Sequence, residues 1–198
     1  MVDNCPDKKC ARDRILAAAE ELFYREGIRA VGIDTVIEKA GVAKMSLYRA
    51  FPSKDELVAA FLADLDRRYW LWWDEVTGRH PGDPRAQLLA VFQALAKFTR
   101  GTSYRGCAFI NTAVEFHDPA HPGHAVAEAH KREVRRRLRR LAAAAGAPHP
   151  EVLADQLQLL MEGAYSAGNT MGQDSPAGAV VGAATVLIEH HLSQGNVS

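Results

Sequence analysis

This 198-residue sequence has little of what many function classes require. It has three cysteines, an odd number that argues against a disulfide framework, and Cys5 and Cys10 alone are too few for a zinc knuckle. No apolar run approaches the ~20 residues that span a bilayer, so no membrane partner is expected. The N-terminal Met-Val-Asp-Asn-Cys-Pro-Asp-Lys-Lys lacks a signal peptide's apolar core, and a cytoplasmic location is expected. Neither charge sign is in excess: 24 Lys and Arg face 24 Asp and Glu, which removes any global basic field for gathering nucleic acid. Strand alternation and internal repeats are absent, as are a phosphate-binding glycine loop, a carboxylate pair and a nucleophile–base pair. No catalytic residue, cofactor or resident metal is therefore expected.

What is present concentrates in residues 40–54, Ala-Gly-Val-Ala-Lys-Met-Ser-Leu-Tyr-Arg-Ala-Phe-Pro-Ser-Lys. Gly41 separates an apolar-periodic segment with Val36 and Ile37 from another with Leu47 and Phe51. That spacing packs two short helices at a steep angle, as a helix-turn-helix requires. The second helix, roughly 43–50, exposes Lys44, Ser46, Tyr48 and Arg49 with no acid among them. Basic, hydroxyl and phenolic groups on an exposed helix suit a groove lined with phosphates and base edges. Residues 1–55 carry ten Lys or Arg against nine Asp or Glu, so any DNA affinity must come from local placement and from doubling the site in a dimer.

The pattern resembles the N-terminal signature of the TetR family of one-component transcriptional regulators. It runs through Ala18-x3-Leu22-Phe23-x3-Gly27, Val36-x3-Ala40-Gly41-Val42 and Leu47-Tyr48-x2-Phe51-x-Ser53-Lys54-x2-Leu57. The signature covers about the first third of the chain, and the remainder resembles the family in length and helicity only. The resemblance implies an all-α architecture of nine helices, with a DNA-binding domain over 1–54 and a regulatory and dimerisation domain over 55–198. It implies a homodimer on a palindromic double-stranded operator, released by a small-molecule effector. Contacts to bases and phosphates are implied for Ala43, Lys44, Met45, Ser46, Tyr48 and Arg49, with Thr35 from the second helix and Lys54 at the start of the fourth. Two departures stand out. Ala50 occupies a position where many relatives carry His. At the start of helix 2, Gly32 replaces a common Ser or Thr cap, and Asp34 stands where a basic residue is frequent.

Breakers and caps place the helices at roughly 9–26, 33–40, 43–50, 54–77, 85–99, 105–116, 124–145, 150–172 and 175–193. Ser53 and Glu56 form a capping box for the fourth, and Ser175-Pro176 a cap for the ninth. The fourth ends in the aromatic group Tyr69, Trp70, Trp72 and Trp73, which cannot all face one core. Two readings stand. The group packs in the core, or it joins Phe92, Phe98, Phe109, Phe116, Met161 and Tyr165 around a mostly apolar pocket for a hydrophobic or aromatic ligand.

Three other features carry weaker signals. His117, Asp118, His121 and His124, with Glu115 before them, have the residue types of a metal site, but Pro119 and Pro122 make a turn-rich loop in which such groups commonly cap or solvate. Cys107 reads as a small buried residue before it reads as a redox sensor. Seven Lys or Arg within 131–140 surround an apolar stripe of Val134, Leu138 and Leu141, which is read as a solvated helix face. Helices 8 and 9 are apolar nearly all round, so Leu153, Leu157, Val181, Leu187 and Ile188 are assigned to a four-helix dimer interface. The alternatives are an all-α small-molecule binder or enzyme on a helix-turn-helix scaffold, and a constitutive DNA-binding or protein-docking protein without a ligand.

Overall fold

The computed structural model describes residues 11–194, so Cys5, Cys10, Lys8 and Lys9 lie outside the described residues. Among these are nine α-helices and no strand: α1 (Ala11–Glu26), α2 (Ile33–Ala40), α3 (Lys44–Ala50), α4 (Lys54–Gly78), α5 (Pro84–Phe98), α6 (Ala108–Glu115), α7 (Pro122–Ala144), α8 (Pro150–Met171) and α9 (Val180–Gln194). The chain forms two compact units. The first takes the described residues through Asp66 together with Ala108–Glu128, and the second takes Arg67–Cys107 and the described residues from Ala129 onward.

In the first unit, α1 is amphipathic and buries Ile15, Ala18, Ala19, Leu22 and Phe23. Also buried in this unit are Val36 and Ala40 of α2, Leu47 of α3, Phe51, and Leu57, Val58, Phe61 and Leu62 of α4. The Phe23 and Phe61 rings meet edge-on with centroids 5.8 Å apart. α2 ends at Gly41, whose φ of +61° is left-handed and so favours glycine. Arg14 of α1 donates to the Ala40 and Gly41 carbonyls there, satisfying acceptors that the helix end leaves open. A Cβ on Gly41 would stand 2.7 Å from the Arg14 guanidinium and would push that side chain off its two carbonyls, while the backbone angle is what selects glycine. Ser53 Oγ accepts the Glu56 amide and starts α4.

The second unit packs α5, α8 and α9 around Leu88, Val91, Phe92, Leu95, Leu153, Leu157, Met161, Ala184 and Ile188, with Val134 and Leu138 from α7. Asp83 caps α5 by accepting the Ala86 amide. Two boundaries differ from the sequence reading. α6 starts at Ala108 rather than 105, because Gly106 adopts a φ of +87° that no right-handed helix contains. Ser175 does cap a turn, accepting the Ala177 amide, but Pro176–Ala179 winds as a 3-10 turn with Ala177 buried, and α9 begins at Val180.

Candidate nucleic-acid interface and regulatory cluster

Exposure separates the two faces of α3. Leu47 is fully buried, whereas Lys44, Met45, Tyr48 and Arg49 face solvent, with Ala43 exposed just before the helix and Ser46 half-buried. Met45 is 78% exposed, a large apolar side chain with no intramolecular partner to explain its outward position. Thr35 is exposed on α2. Lys44 Nζ lies 3.1 Å from Asp34 Oδ1, and that hydrogen bond raises the pKa of the ammonium.

Other cations of this unit act within the protein. Arg14 holds the end of α2, and Lys39 pairs with Glu21 at 2.8 Å, which lowers the pKa of the Glu21 carboxyl. Arg12 lies over the Phe51 ring. Lys54 donates to the Val31 carbonyl at 2.6 Å, and partial burial lowers its pKa, so at least one of its donors serves the fold. α2 starts without a side-chain cap at Gly32.

The His117–His124 loop is organised by its own capping bonds. The His121 ring stacks on Phe116 at 3.8 Å, and its Nδ1 accepts the Gly123 amide. That acceptance places the proton of neutral His121 on Nε2, which faces Asp55 Oδ1 at 3.4 Å. His124 Nδ1 is 2.9 Å from the Phe116 carbonyl, and Asp118 accepts the Ala120 amide. No group of three or more His, Cys, Asp or Glu among the described residues is placed to hold a metal ion. A cleft of about 470 Å³ runs along this loop, lined by residues that include Arg29, Asp55, Phe116 and His121.

In the second unit, Tyr69 packs against Trp70, Trp72 and Trp73, and buried His130 lies against Tyr69 and Trp70 at ring-centroid distances of 4.6 and 5.2 Å. The Arg137 guanidinium covers Trp70 at 4.4 Å and pairs with Asp74 and Glu133. Lys131 donates to both oxygens of Glu162 at 2.8 and 3.0 Å, lies 3.5 Å from Cys107 Sγ, and sits over the Tyr165 ring. Tyr104 donates to the Tyr165 carbonyl. Burial pushes the Tyr69 phenol well above its ordinary pKa; nearby Cys107 adds to the rise, and the neighbouring Tyr165 phenol offsets part of it. The Tyr69 oxygen is buried without a hydrogen bond of full geometric quality among the described residues.

The candidate ligand residues therefore divide. Tyr69, Trp72, Trp73, Phe92, Met161 and Tyr165 belong to the second unit, whereas Phe109 and Phe116 belong to the first. Phe98 is 53% exposed and faces solvent beside Tyr104. The basic stretch of α7 is not merely solvated. Lys131, Arg135 and Arg137 reach Glu162, Asp155 and Asp74 on other helices, while Arg136 and Arg140 pair with Glu133 of α7 itself and stay exposed. His130 and the Lys131–Glu162 pair escaped the sequence reading, and Glu115 was read only beside the histidine loop, because their roles depend on residues distant in the chain.

The dimer assignment needs correction at the level of residues. Leu153, Leu157 and Ile188 are fully buried within a single chain, since each points into the core shared by α5, α8 and α9. Val181 and Leu187 are half-buried. The outward large apolar residues of the same helices are Val152, Leu159 and Val186, with Met171 at the end of α8.

Two short helices joined by a tight turn, with a basic and aromatic outward face, in a chain whose described residues are otherwise helical, define a helix-turn-helix DNA-binding regulator. Residues 15–61 match the model of bacterial regulatory proteins of the tetR family, and residues 84–184 match the tetracyclin repressor-like C-terminal domain. The chain belongs to the TetR family of transcriptional regulators. It is similar to a TetR-family transcriptional regulator of known structure from Streptomyces coelicolor, at 32% identity and a TM-score of 0.83, covering 93% of this chain and 95% of that one. It is 26% identical over 155 residues to the HTH-type transcriptional regulator YjdC of Escherichia coli, 78% of this chain and 81% of the relative. It is 28% identical over 108 residues to the E. coli HTH-type transcriptional repressor NemR, 54% of each chain. The family and these relatives are transcriptional regulators, not enzymes, and the alternative of an enzyme on this scaffold is set aside. Among the described residues no helix is long and apolar enough to cross a membrane.

Proposed function

We propose that the protein is a dimeric repressor that leaves a palindromic operator when a small apolar or aromatic effector binds its regulatory domain. The observation that carries the DNA-binding half is the outward row Lys44, Met45, Tyr48 and Arg49 over the buried Leu47. In this reading residues 1–54 form the reader and 55–198 the regulatory body, working in the cytoplasm. Lys44 and Met45 address base edges, Ala43, Ser46 and Thr35 approach the backbone closely, and Tyr48 and Arg49 bind phosphates. Lys54 adds its charge near a phosphate while one donor stays on Val31. The similarity to the repressor NemR supports the sign of regulation.

Dimerisation is assigned to the outward face of α8 and α9, where Val152, Leu159 and Val186 stand exposed. Gly163 and Gly182 on the same helices have open space around the position of a Cβ, which permits close approach of partner helices. The effector is assigned to the second unit, among Tyr69, Trp72, Trp73, Phe92, Met161 and Tyr165. These surfaces are aromatic or apolar with a few buried polar groups, the composition of small-molecule sites. α4 follows the recognition helix directly and carries the aromatic group, so it is the moving part.

Selection of bound duplexes from a random pool tests the reading. An enriched inverted repeat, protected once per dimer, is the expected result. A pool that stays random after repeated rounds would remove the reader assignment.

A further inference from the structure

We propose that Asp34 and Lys44 act as a couplet reading one G·C base pair in each half-site, Lys44 donating to the guanine and Asp34 accepting from the cytosine. The inference rests on the reading of α3 as the recognition helix and deepens it.

Asp34 lies in the first turn of α2 and Lys44 opens α3, and the turn at Gly41 brings their side chains to 3.1 Å. Both remain open to solvent, at 81% and 61% side-chain exposure. An isolated pair this exposed contributes little to stability, and an acid in the first turn of α2 gains only a small helix-dipole stabilisation, so stability gives a weak reason for an acid that faces the DNA side. An acid there also repels phosphate, which a DNA reader otherwise avoids. Base-edge chemistry accounts for it.

The major-groove edge of a G·C pair presents two acceptors, guanine N7 and O6, followed by one donor, the cytosine N4 amino group. An ammonium has three protons. Two span N7 and O6, and the third stays on Asp34 Oδ1. The second carboxylate oxygen then accepts the cytosine amino proton. Guanine O6 and cytosine N4 are hydrogen-bonded to each other within the pair, hence about 2.9 Å apart. That spacing matches the 3.1 Å between Nζ and Oδ1. An A·T pair places a donor between its two acceptors and a methyl beside the second, so the ammonium would meet an amino group. The reversed C·G pair presents the same groups in the opposite order along the groove. Asp34 thus lowers affinity for DNA in general and sharpens the choice of one oriented base pair, specificity by repulsion as well as attraction.

The test is random-pool selection followed by competition binding with the full chain as wild type, Asp34→Ala and Asp34→Asn, each checked for fold by circular dichroism. The wild type should enrich an inverted repeat with one oriented G·C pair per half-site under the couplet. Asp34→Ala should bind random DNA more tightly yet lose about tenfold discrimination at that pair alone, within the ~5–150-fold a good bidentate contact supplies. Asp34→Asn should keep part of the discrimination, because its carbonyl still accepts from cytosine, and it carries the test alone if the alanine variant fails to fold. Equal tightening on every sequence with unchanged preferences would overturn the couplet and leave Asp34 a charge brake. An operator lacking a G·C pair at that position would overturn it too. Should the wild type enrich no sequence, the recognition-helix reading fails first, and the couplet with it.

Discussion

Glu115 and Arg29 are joined twice across 86 positions of sequence. The Arg29 amide donates to Glu115 Oε2 at 2.7 Å, and the Arg29 guanidinium donates to the Glu115 carbonyl at 3.3 Å. The other carboxylate oxygen takes the Ile28 amide at 3.1 Å. The last residue of α6 therefore holds the turn that leads into α2. Glu115→Ala leaves two amides without their acceptor and should lower stability by about 1–2 kcal/mol, discounted for the exposure of one bond. Denaturant unfolding should show a lower midpoint with an unchanged slope; an unchanged midpoint would make the clamp decorative.

Tyr48→Phe removes one hydroxyl and leaves the ring. If that hydroxyl binds a phosphate, affinity should fall about fivefold per half-site on operator and random duplexes alike, as for a lost bond of ~1 kcal/mol in each protomer. Arg49→Ala should also weaken all sequences and reduce the salt slope by about two, one phosphate contact from each half of the dimer. Fluorescence anisotropy at several salt concentrations separates the two, and a sequence-dependent loss for Tyr48→Phe would move it from backbone to base.

Leu159→Glu and Val186→Glu place a carboxylate on residues that are 73% and 68% exposed in one chain. Each should yield folded monomers by sedimentation velocity. Ile188→Glu should instead unfold the protein, since Ile188 is fully buried and the carboxylate would have no partner. Undisturbed dimers from both exposed variants would shift the interface away from α8 and α9.

His191 is buried, and its Nε2 lies 2.9 Å from Gln156 Oε1. Burial lowers its pKa, with His190 and His149 adding to the effect. The unfolded chain then takes up this proton at higher pH than the folded one. Stability should fall as pH drops below about 6.5, the ordinary His value, and level off below the depressed folded value. His191→Leu should show a shallower loss of melting temperature between pH 7.5 and 5.5, and an identical slope would exclude His191 as the cause.

An apolar or aromatic effector that releases DNA must favour one conformation over the other, because equal affinity shifts nothing. It should quench Trp fluorescence over the concentration range in which DNA is released, with a coupling of roughly 1–3 kcal/mol. Trp72→Leu, at a half-buried position that tolerates change better than buried Trp73, should weaken both responses together. Release that proceeds unchanged in this variant, without quenching in the parent, would take α4 out of the effector site.

Local chemistry made much of this molecule legible without coordinates. The α2–turn–α3 unit follows from Gly41 between two apolar periods, and Leu47 and Phe51 are core because their spacing leaves no other face for them. The start of α4 at Ser53 was readable because a cap acts within a few residues. Such signals are short-ranged and need only neighbours in sequence.

Tertiary structure decided whatever depends on partners far along the chain. Helices 8 and 9 read as apolar all round, and only packing against α5 shows that Leu153, Leu157 and Ile188 are spent on the chain's own core while Val152, Leu159 and Val186 remain outside. The basic run of α7 read as solvated, yet Asp74, Asp155 and Glu162 reach Arg137, Arg135 and Lys131 from other helices. Lys54 read as a phosphate contact from its place at the start of α4, and only the fold shows that one of its donors is also held by the Val31 carbonyl at 2.6 Å. Asp34 looked like a misplaced acid, and Lys44 became its partner only once the turn had closed. Periodicity states which face of a helix is apolar, but the sign of a charge and the polarity of a face do not name what will meet them; that is settled when the backbone brings distant residues within bonding distance.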